Sequence, residues 1–339
     1  MNTIGITMGC PAGIGPEIIL RYFHQYHNDS SYNAIVLGDI GVLKQCKTEL
    51  NLDVPLFPWQ PGQPIPQKGI PVFELSSLAA GAVTWGHPDT ITAEAMVTYI
   101  RKGVELIDEG IINAITTCPI SKASLNSAGY SFPGHTEMLA DLTGSDSYAM
   151  MMSGEKLKIT LVTIHCPLKA VPETLSIENI SQLIETTHLA LSADFGIQSP
   201  KIGVAGLNPH SGEDGLFGNE EIVTIAPAVS ACRDKGIKVS GPFPPDTIFF
   251  SAVKGNYDAV VCMYHDQGLI PFKLLHFNDG VNVTLGLSIV RTSVDHGTAY
   301  DIAGKGTASC DSLMEAIKLA NIISVNRARY LSKSTKGQC

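Results

Sequence analysis

The sequence predicts a layered α/β protein built on a largely parallel sheet, and three observations carry that prediction. Short apolar runs alternate along the chain with longer amphipathic ones, the mark of strand–helix alternation. The 339 residues suit two domains or one large α/β unit. Hydrophobic residues make up 44% and charged residues 16%, enough apolar side chain for a sizeable core and a composition unlike that of a disordered chain.

The elements follow in order. Short apolar runs at Thr3–Met8, Ala34–Gly38, Ile112–Thr116, Leu157–Ile164, Lys201–Ala205, Ala259–Met263 and Val281–Leu285 predict strands. Helices are predicted over Pro16–Tyr26, Ile40–Glu49, Thr92–Glu109, Ile177–Ala193, Glu220–Lys235 and Ser312–Tyr330, each with apolar residues three and four positions apart. Residues 53–72 hold six prolines and little periodicity, which predicts an irregular surface connection. No solenoid-type repeat is visible, and the tail SKSTKGQC is expected to fray.

The net charge of −9 argues against a nucleic-acid binder, which would carry a basic surplus. The start MNTIGITMGC has no positive region ahead of its apolar residues and does not read as a signal peptide. No apolar run reaches the ~18 residues that a membrane span needs. The eight cysteines, at positions 10, 46, 118, 166, 232, 262, 310 and 339, form no CxxC pair and read as reduced thiols of a cytoplasmic protein.

The stretch TMGCPAGIGPEI, residues 7–18, sits behind the first strand and invites reading as a phosphate-cradling loop. Its glycines are Gly9, Gly13 and Gly15, spaced G-x-x-x-G-x-G, whereas a Rossmann loop needs G-x-G-x-x-G. The Gly-Lys-Ser/Thr ending of a Walker loop is absent as well. Pro16 removes a backbone N–H at the helix start, and Glu17 puts a carboxylate where the helix dipole would attract phosphate. Asp39, after the second strand, mimics an acidic ribose ligand, although a strand-terminal Asp is common. Three readings stay open for the stretch: a pyrophosphate loop, a tight turn before a well-capped helix, or a cleft-lining loop without phosphate contact.

Histidines give a positional signal. LKITLVTIH ends in His165, KIGVAGLNPH in His210 and YDAVVCMYH in His265, each just past the C-terminal end of a predicted parallel strand. Ligands bind at that edge of an open α/β sheet. A lone histidine is more often structural or solvated, but three of ten at equivalent points favour a shared role. Three neutral imidazoles suit Zn²⁺, Co²⁺ or a similar divalent ion with positions left open for substrate. His24, His27 and His188 fall on helix patterns and read as surface or core residues. Lys273, Asn282 and Arg291 share one short stretch in which two cations stand ready for a phosphate or carboxylate, though each alone reads as solvated. PGHTEM supplies His135 and Thr136, and Lys122 follows another apolar strand, as a proton shuttle or a surface charge. Asp246 and Asp266 are candidates for acid/base work or for orienting a ligand, and Asp246, after prolines, also reads as a turn or cap residue.

Several long stretches together resemble the 4-hydroxythreonine-4-phosphate dehydrogenase family of pyridoxal phosphate biosynthesis. They are TMGCPAGIGPEI, TTCPISKASLNSAGY, GHTEMLADLTG, GLNPHSGEDGLFGNEE, DAVVCMYHDQGLIPFK and GVNVTLGLSIVRTSVDHGTAYDIAGKG, in order from residue 7 to about residue 306. The resemblance implies two α/β/α domains around a cleft, an isocitrate/isopropylmalate dehydrogenase-like fold and not a Rossmann fold. Residues 1–130 and 280–339 would form the cofactor-side domain, and 131–279 a central domain with the metal histidines and the dimer interface. It implies a divalent metal (zinc, cobalt or magnesium) on His165, His210 and His265, in a site completed across a homodimer interface. Substrate contacts would be His135, Thr136, Lys273, Asn282 and Arg291, and the NAD or NADP carriers Asp295, His296, Gly297, Thr298 and Asp301. Lys122, Asp246 or Asp266 would move protons, in no order that the residues decide.

The implied reaction is metal- and NAD-dependent oxidation of 4-hydroxythreonine 4-phosphate, with decarboxylation to 3-amino-2-oxopropyl phosphate. Relatives within the family act on 4-phosphothreonate or 4-phosphoerythronate, and others on cyclic dihydrodiols; Lys273 and Arg291 favour a phosphorylated substrate. From other classes, a phosphate acyltransferase and a cofactor-independent metal lyase or epimerase remain as alternatives. The chain departs from the family at Cys10, where an acidic residue is usual, which bears on substrate choice.

Overall fold

The structure, a computed structural model, describes residues 1–26, 31–78, 81, 83–132 and 134–336; His27, Pro133 and Cys339 lie outside the described residues. The chain has the α/β architecture its alternation predicts, and its contacts divide it into two compact units. The first comprises Met1–Asp146 and Leu287–Val325, and the second Ser147–Gly286 and the residues from Asn326 onward. His135 and Thr136 therefore belong to the first unit with Arg291.

The first unit holds strands β1 (Asn2–Thr7), β2 (Tyr32–Gly38), β3 (Leu56–Pro58), β4 (Ile70–Glu74) and β5 (Ala114–Thr117), with β12 (Arg291–Val294) returning from late in the chain. They pair in the order β3-β4-β2-β1-β5-β12, all parallel. Its helices are α1 (Gly15–Tyr26), α2 (Ile40–Glu49), α3 (Thr90–Asp108), α4 (Lys122–Ser127) and α5 (His135–Thr143). Parallel strands covered on both faces need apolar side chains throughout, and Ile4 and Ile6 of β1 are fully buried. Such burial is worth about 1.5–3 kcal/mol for each large aliphatic side chain. An Asp89–Thr92 capping box starts α3, where it satisfies N–H groups that the helix leaves over.

The second unit holds β6 (Ala149–Ser153), β7 (Lys158–Leu161), β8 (Ile202–Ala205), β9 (Val239–Phe243), β10 (Ala259–Cys262) and β11 (Val281–Leu285), ordered β11-β6-β7-β10-β8-β9. Only β6 runs against its neighbours; β7, β10, β8 and β9 are parallel. Its helices are α6 (Val171–Thr174), α7 (Ile177–Ala193), α8 (Ala226–Asp234), α9 (Pro245–Val253) and α10 (His265–Leu275). The core joins Ile159, Leu161, Val260 and Cys262 of the sheet to Ile248 of α9 and Phe272 of α10. The last helix, α11 (Asp311–Lys336), begins in the first unit.

The structure departs from the sequence expectations at several points. The proline-rich segment 53–72 contributes β3 and the start of β4; Pro58 is tolerated because β3 is the edge strand of the sheet, while Pro71 sits at the second position of β4. Strand β12 is polar yet wholly buried, since the Thr116 and Thr292 hydroxyls bond each other at 2.9 Å and Thr292 also donates to the Ala316 carbonyl. The helix expected over 220–235 opens with a π turn, Glu221–Ile225, before α8. Helix α11 runs through Lys336, where fraying is expected from Ser332 onward.

Candidate functional site

In the second unit, β7, β10 and β8 are consecutive parallel neighbours. His165, His265 and His210 follow their C-terminal ends, so the three histidines leave one edge of the sheet side by side. The rings of His165 and His265 lie 5.8 Å apart, beside a cavity of about 270 Å³ that Thr163, Tyr264 and Asp266 also line. Asp266 Oδ1 is 2.6 Å from His265 Nδ1. A carboxylate there accepts the Nδ1 proton and leaves Nε2 as the lone-pair nitrogen, the usual arrangement behind a metal-bound imidazole. The chemistry of this imidazole pair suits a divalent ion. Among the described residues no three His, Cys, Asp or Glu side chains are gathered to hold a metal ion.

The His210 loop is locally strained. From His210 to Asp214 every residue has positive φ (52°, 56°, 80°, 45° and 55°). Left-handed backbone costs non-glycine residues roughly 1–2 kcal/mol each and persists only where surroundings enforce it. Here Glu221, 3% exposed, accepts the N–H groups of Leu207 and Asn208 at 2.7 Å and the Asn208 amide at 2.9 Å.

In the first unit the opening glycine loop is consumed by packing. Cys10 N–H donates to the Pro119 carbonyl, Gly13 N–H to Cys10 and Ile14 N–H to Thr298, at 2.9–3.2 Å. Gly9 takes φ +69°, and a Cβ at Gly15 would overlap the Met8 carbonyl oxygen. These amides are turned to the protein, so the pyrophosphate reading of the loop fails. Glu17 supplies a negative charge internally: it is 1% exposed, pairs with Arg21, and accepts N–H groups from Gly306 and Ala308. Asp39 is no ribose ligand, for its fully buried carboxylate caps α2 at Val42 N–H and accepts from Ser76 and Leu78.

The same unit brings His135 and Arg291 together from distant parts of the chain. Arg291 is 2% exposed, and its Nε and Nη2 donate to Thr117 Oγ1 at 3.2 and 2.8 Å. Burial draws its guanidinium down to about 9, with the Glu137 carboxylate opposing. His135 is pushed well below the ordinary imidazole value, first by burial and then by the Arg291 charge. Its buried Nε2 has no hydrogen-bond partner in the protein. A buried cation beside an unsatisfied imidazole nitrogen is chemistry suited to an anionic ligand. Thr136 is half-buried beside it.

The remaining candidates are distributed. Lys122 opens α4, exposed, with its chain against Gly134. Asp246 is exposed in the first turn of α9. Lys273 lies on α10 with its ammonium 5.9 Å from the Phe277 ring centre, and Asn282 on β11 has a buried Oδ1 without a partner. Asp295, His296, Gly297, Thr298 and Asp301 follow β12 in a loop whose Thr298 carbonyl is held by Ile14. Space around Gly297 is open, which fits a ligand approaching the backbone. The sequence reading missed Glu221 and Gln267 as site-forming residues, and only their burial, invisible in a linear pattern, marks them. Cys10 is buried with a raised thiol, mainly through desolvation, and accepts the Tyr300 hydroxyl at 3.3 Å.

Comparison with known proteins is consistent across sequence and structure. The family profile for the pyridoxal phosphate biosynthetic protein PdxA matches residues 30–320. The 4-hydroxythreonine-4-phosphate dehydrogenase of Desulforapulum autotrophicum is 52% identical over 319 residues, 94% of each chain. A protein of Oceanobacillus iheyensis, provisionally named a D-threonate 4-phosphate dehydrogenase, is 43% identical over 94% of this chain and 96% of its own. The crystal structure of the 4-hydroxythreonine-4-phosphate dehydrogenase from Klebsiella pneumoniae superposes with a TM-score of 0.87 at 40% identity, covering 96% of this chain and all of that one.

Proposed function

Because the chain belongs to the PdxA family of pyridoxal phosphate biosynthetic proteins, we propose that it is a dehydrogenase of 4-hydroxythreonine 4-phosphate. The substrate's secondary alcohol is oxidised and the resulting β-keto acid loses CO₂, yielding 3-amino-2-oxopropyl phosphate. The observation that carries the reading is the row of His165, His265 and His210 on three neighbouring parallel strand ends.

His165, His210 and His265 would hold a divalent ion, zinc, cobalt or magnesium, which supplies Lewis-acid polarisation of the reacting oxygen. The loop with Asp295, His296, Gly297, Thr298 and Asp301 would hold NAD or NADP, which would supply a hydride acceptor. Asp266 orients the His265 ring through Nδ1. Arg291, His135 and Thr136 bind the phosphate: the buried guanidinium supplies charge and the unpaired Nε2 a hydrogen bond. Gripping that remote group fixes the reacting carbon before chemistry begins. Lys273 adds a second cation and Asn282 an acceptor for a substrate hydroxyl or amine. Lys122 and Asp246, both exposed, are left as the proton carriers.

The working form is a homodimer with the site completed at the interface. Leu216, Phe217, Phe250, Ile270, Leu274 and Phe277 of the second unit are apolar and exposed, which supports a partner surface there. No helix among the described residues is long and apolar enough to cross a membrane, and the seven cysteines described are unpaired. Both features suit the cytoplasm, where nicotinamide pools lie.

A second reading, a 4-phosphothreonate or 4-phosphoerythronate dehydrogenase, is favoured by Cys10, a neutral buried thiol where the resembling family usually carries an acid. NADH absorbance with the three phosphorylated acids, with and without Zn²⁺, Co²⁺ or Mg²⁺, separates the readings. Reduction with 4-hydroxythreonine 4-phosphate is expected. Turnover of the other acids alone would favour the second reading, and no turnover of any would overturn both. Full activity in His210→Ala would overturn the metal assignment.

A further inference from the structure

The three histidine-bearing strand ends of the second unit are cross-braced by buried polar side chains, and the brace meets at Gln267. This residue lies in the first turn of α10, 6% exposed, two positions after His265. Its Oε1 accepts the Met263 N–H and its Nε2 donates to the Gly206 carbonyl, both at 2.6 Å. Met263 belongs to the end of β10 that delivers His265, and Gly206 begins the loop that delivers His210. The Met263 carbonyl accepts Thr163 Oγ1 at 2.8 Å and Thr163 N–H at 3.2 Å, which ties in the strand end that delivers His165. Beyond Gly206, the strained His210 loop is held by Glu221. One amide thus uses both its donor and its acceptor to set the distance between two adjacent strand ends.

We propose that Gln267 is a positioning residue that sets the spacing of His265 and His210 at the divalent-ion site, with Thr163 and Met263 extending that register to His165. The inference rests on the metal reading above. Neither half of the brace is replaceable by packing. A methionine at 267 keeps the length but leaves the Met263 N–H and the Gly206 carbonyl buried without partners. A glutamate keeps the acceptor for Met263 but sets a carboxylate oxygen against the Gly206 carbonyl, so the His210 side alone is released.

The test measures Co²⁺ affinity and the visible absorption of the Co²⁺ protein for wild type, Gln267→Met, Gln267→Glu and the control Thr187→Val. Thr187 is buried in the same unit, bonded to Thr160 within β7 and to none of the bracing residues Thr163, Met263, Gly206 and Gln267. Loss of a bond that orients a metal ligand weakens metal binding by about 10–100-fold. Both Gln267 variants should fall in that range, with altered absorption, while Thr187→Val binds like wild type. Substrate KM should change less than kcat, since the phosphate contacts at Arg291 are untouched. Gln267 variants that fold and bind Co²⁺ like wild type would overturn the inference and leave the metal reading standing. A wild-type protein that binds no divalent ion would overturn the metal reading, and the inference with it. Should both variants fail to fold, hydrogen exchange on the wild-type chain decides. Metal should slow exchange at residues 206–211 and at Met263 together, and no metal effect there would overturn the coupling.

Discussion

At the scale of single residues, the His135–Arg291 pair carries a pH signature. Burial and the neighbouring guanidinium hold the native His135 below its ordinary value, so the unfolded chain binds the proton more readily. Its contribution is thus neutral above the unfolded value and turns destabilising as pH falls below ~6.5. At pH 5.5 the linkage is worth at most about 1.4 kcal/mol, the free energy of one pH unit. His135→Asn should therefore lose less stability than wild type between pH 7.5 and 5.5, measured by urea unfolding. Equal losses would show that another group titrates. Inorganic phosphate should recover part of the wild-type loss, because an anion beside Nε2 favours the protonated ring. None of this was legible in PGHTEM alone, where His135 reads as one polar residue after a turn.

At the scale of elements, glycines that look like nucleotide contacts serve close packing. The backbone of α1 approaches the end of β1 so closely at Gly15 that a methyl group would overlap the Met8 carbonyl oxygen. Backbone cannot rotate away as a side chain can, so Gly15→Ala should cost about 3 kcal/mol, the upper range for overpacking. The expected result is a lower urea midpoint with nicotinamide affinity unchanged at low denaturant. A variant of native stability that had lost cofactor binding would return the loop to the nucleotide reading. Elements with a clear apolar pattern were legible because burial repeats at fixed spacing: the predicted spans Ile40–Glu49, Ile177–Ala193 and Val281–Leu285 coincide with α2, α7 and β11. Elements without a distinctive pattern were not. Strand β6 is three methionines between Ala149 and Ser153, held by its antiparallel neighbours rather than by its own composition.

At the scale of the whole molecule, exposed apolar groups on the second unit set the expectation for assembly. Leu274 is 83% exposed and Phe250 70%, on helices that flank β10. Leu274→Glu and Phe250→Asp change side chains with little to lose in the monomer, so the fold should persist while self-association weakens. Sedimentation velocity should find wild type at twice the chain mass and the variants shifted toward the monomer at micromolar concentration. A wild-type monomer at high concentration would remove the dimer from the proposal.

The amino-acid sequence by itself determined the alternation of strand and helix and the strand-end placement of the three histidines, and it supplied the first arguments against phosphate at the opening loop, which the loop's hydrogen bonds then closed. Each of these is written in spacing along the chain or in the chemistry of adjacent residues such as Pro16 and Glu17. Tertiary structure alone decided that β7, β10 and β8 are neighbours, that His135 meets Arg291, and that Gln267 and Glu221 hold the histidine loops. Those outcomes depend on which remote segments pack together, and a local pattern carries no record of the partner that a buried polar group will find.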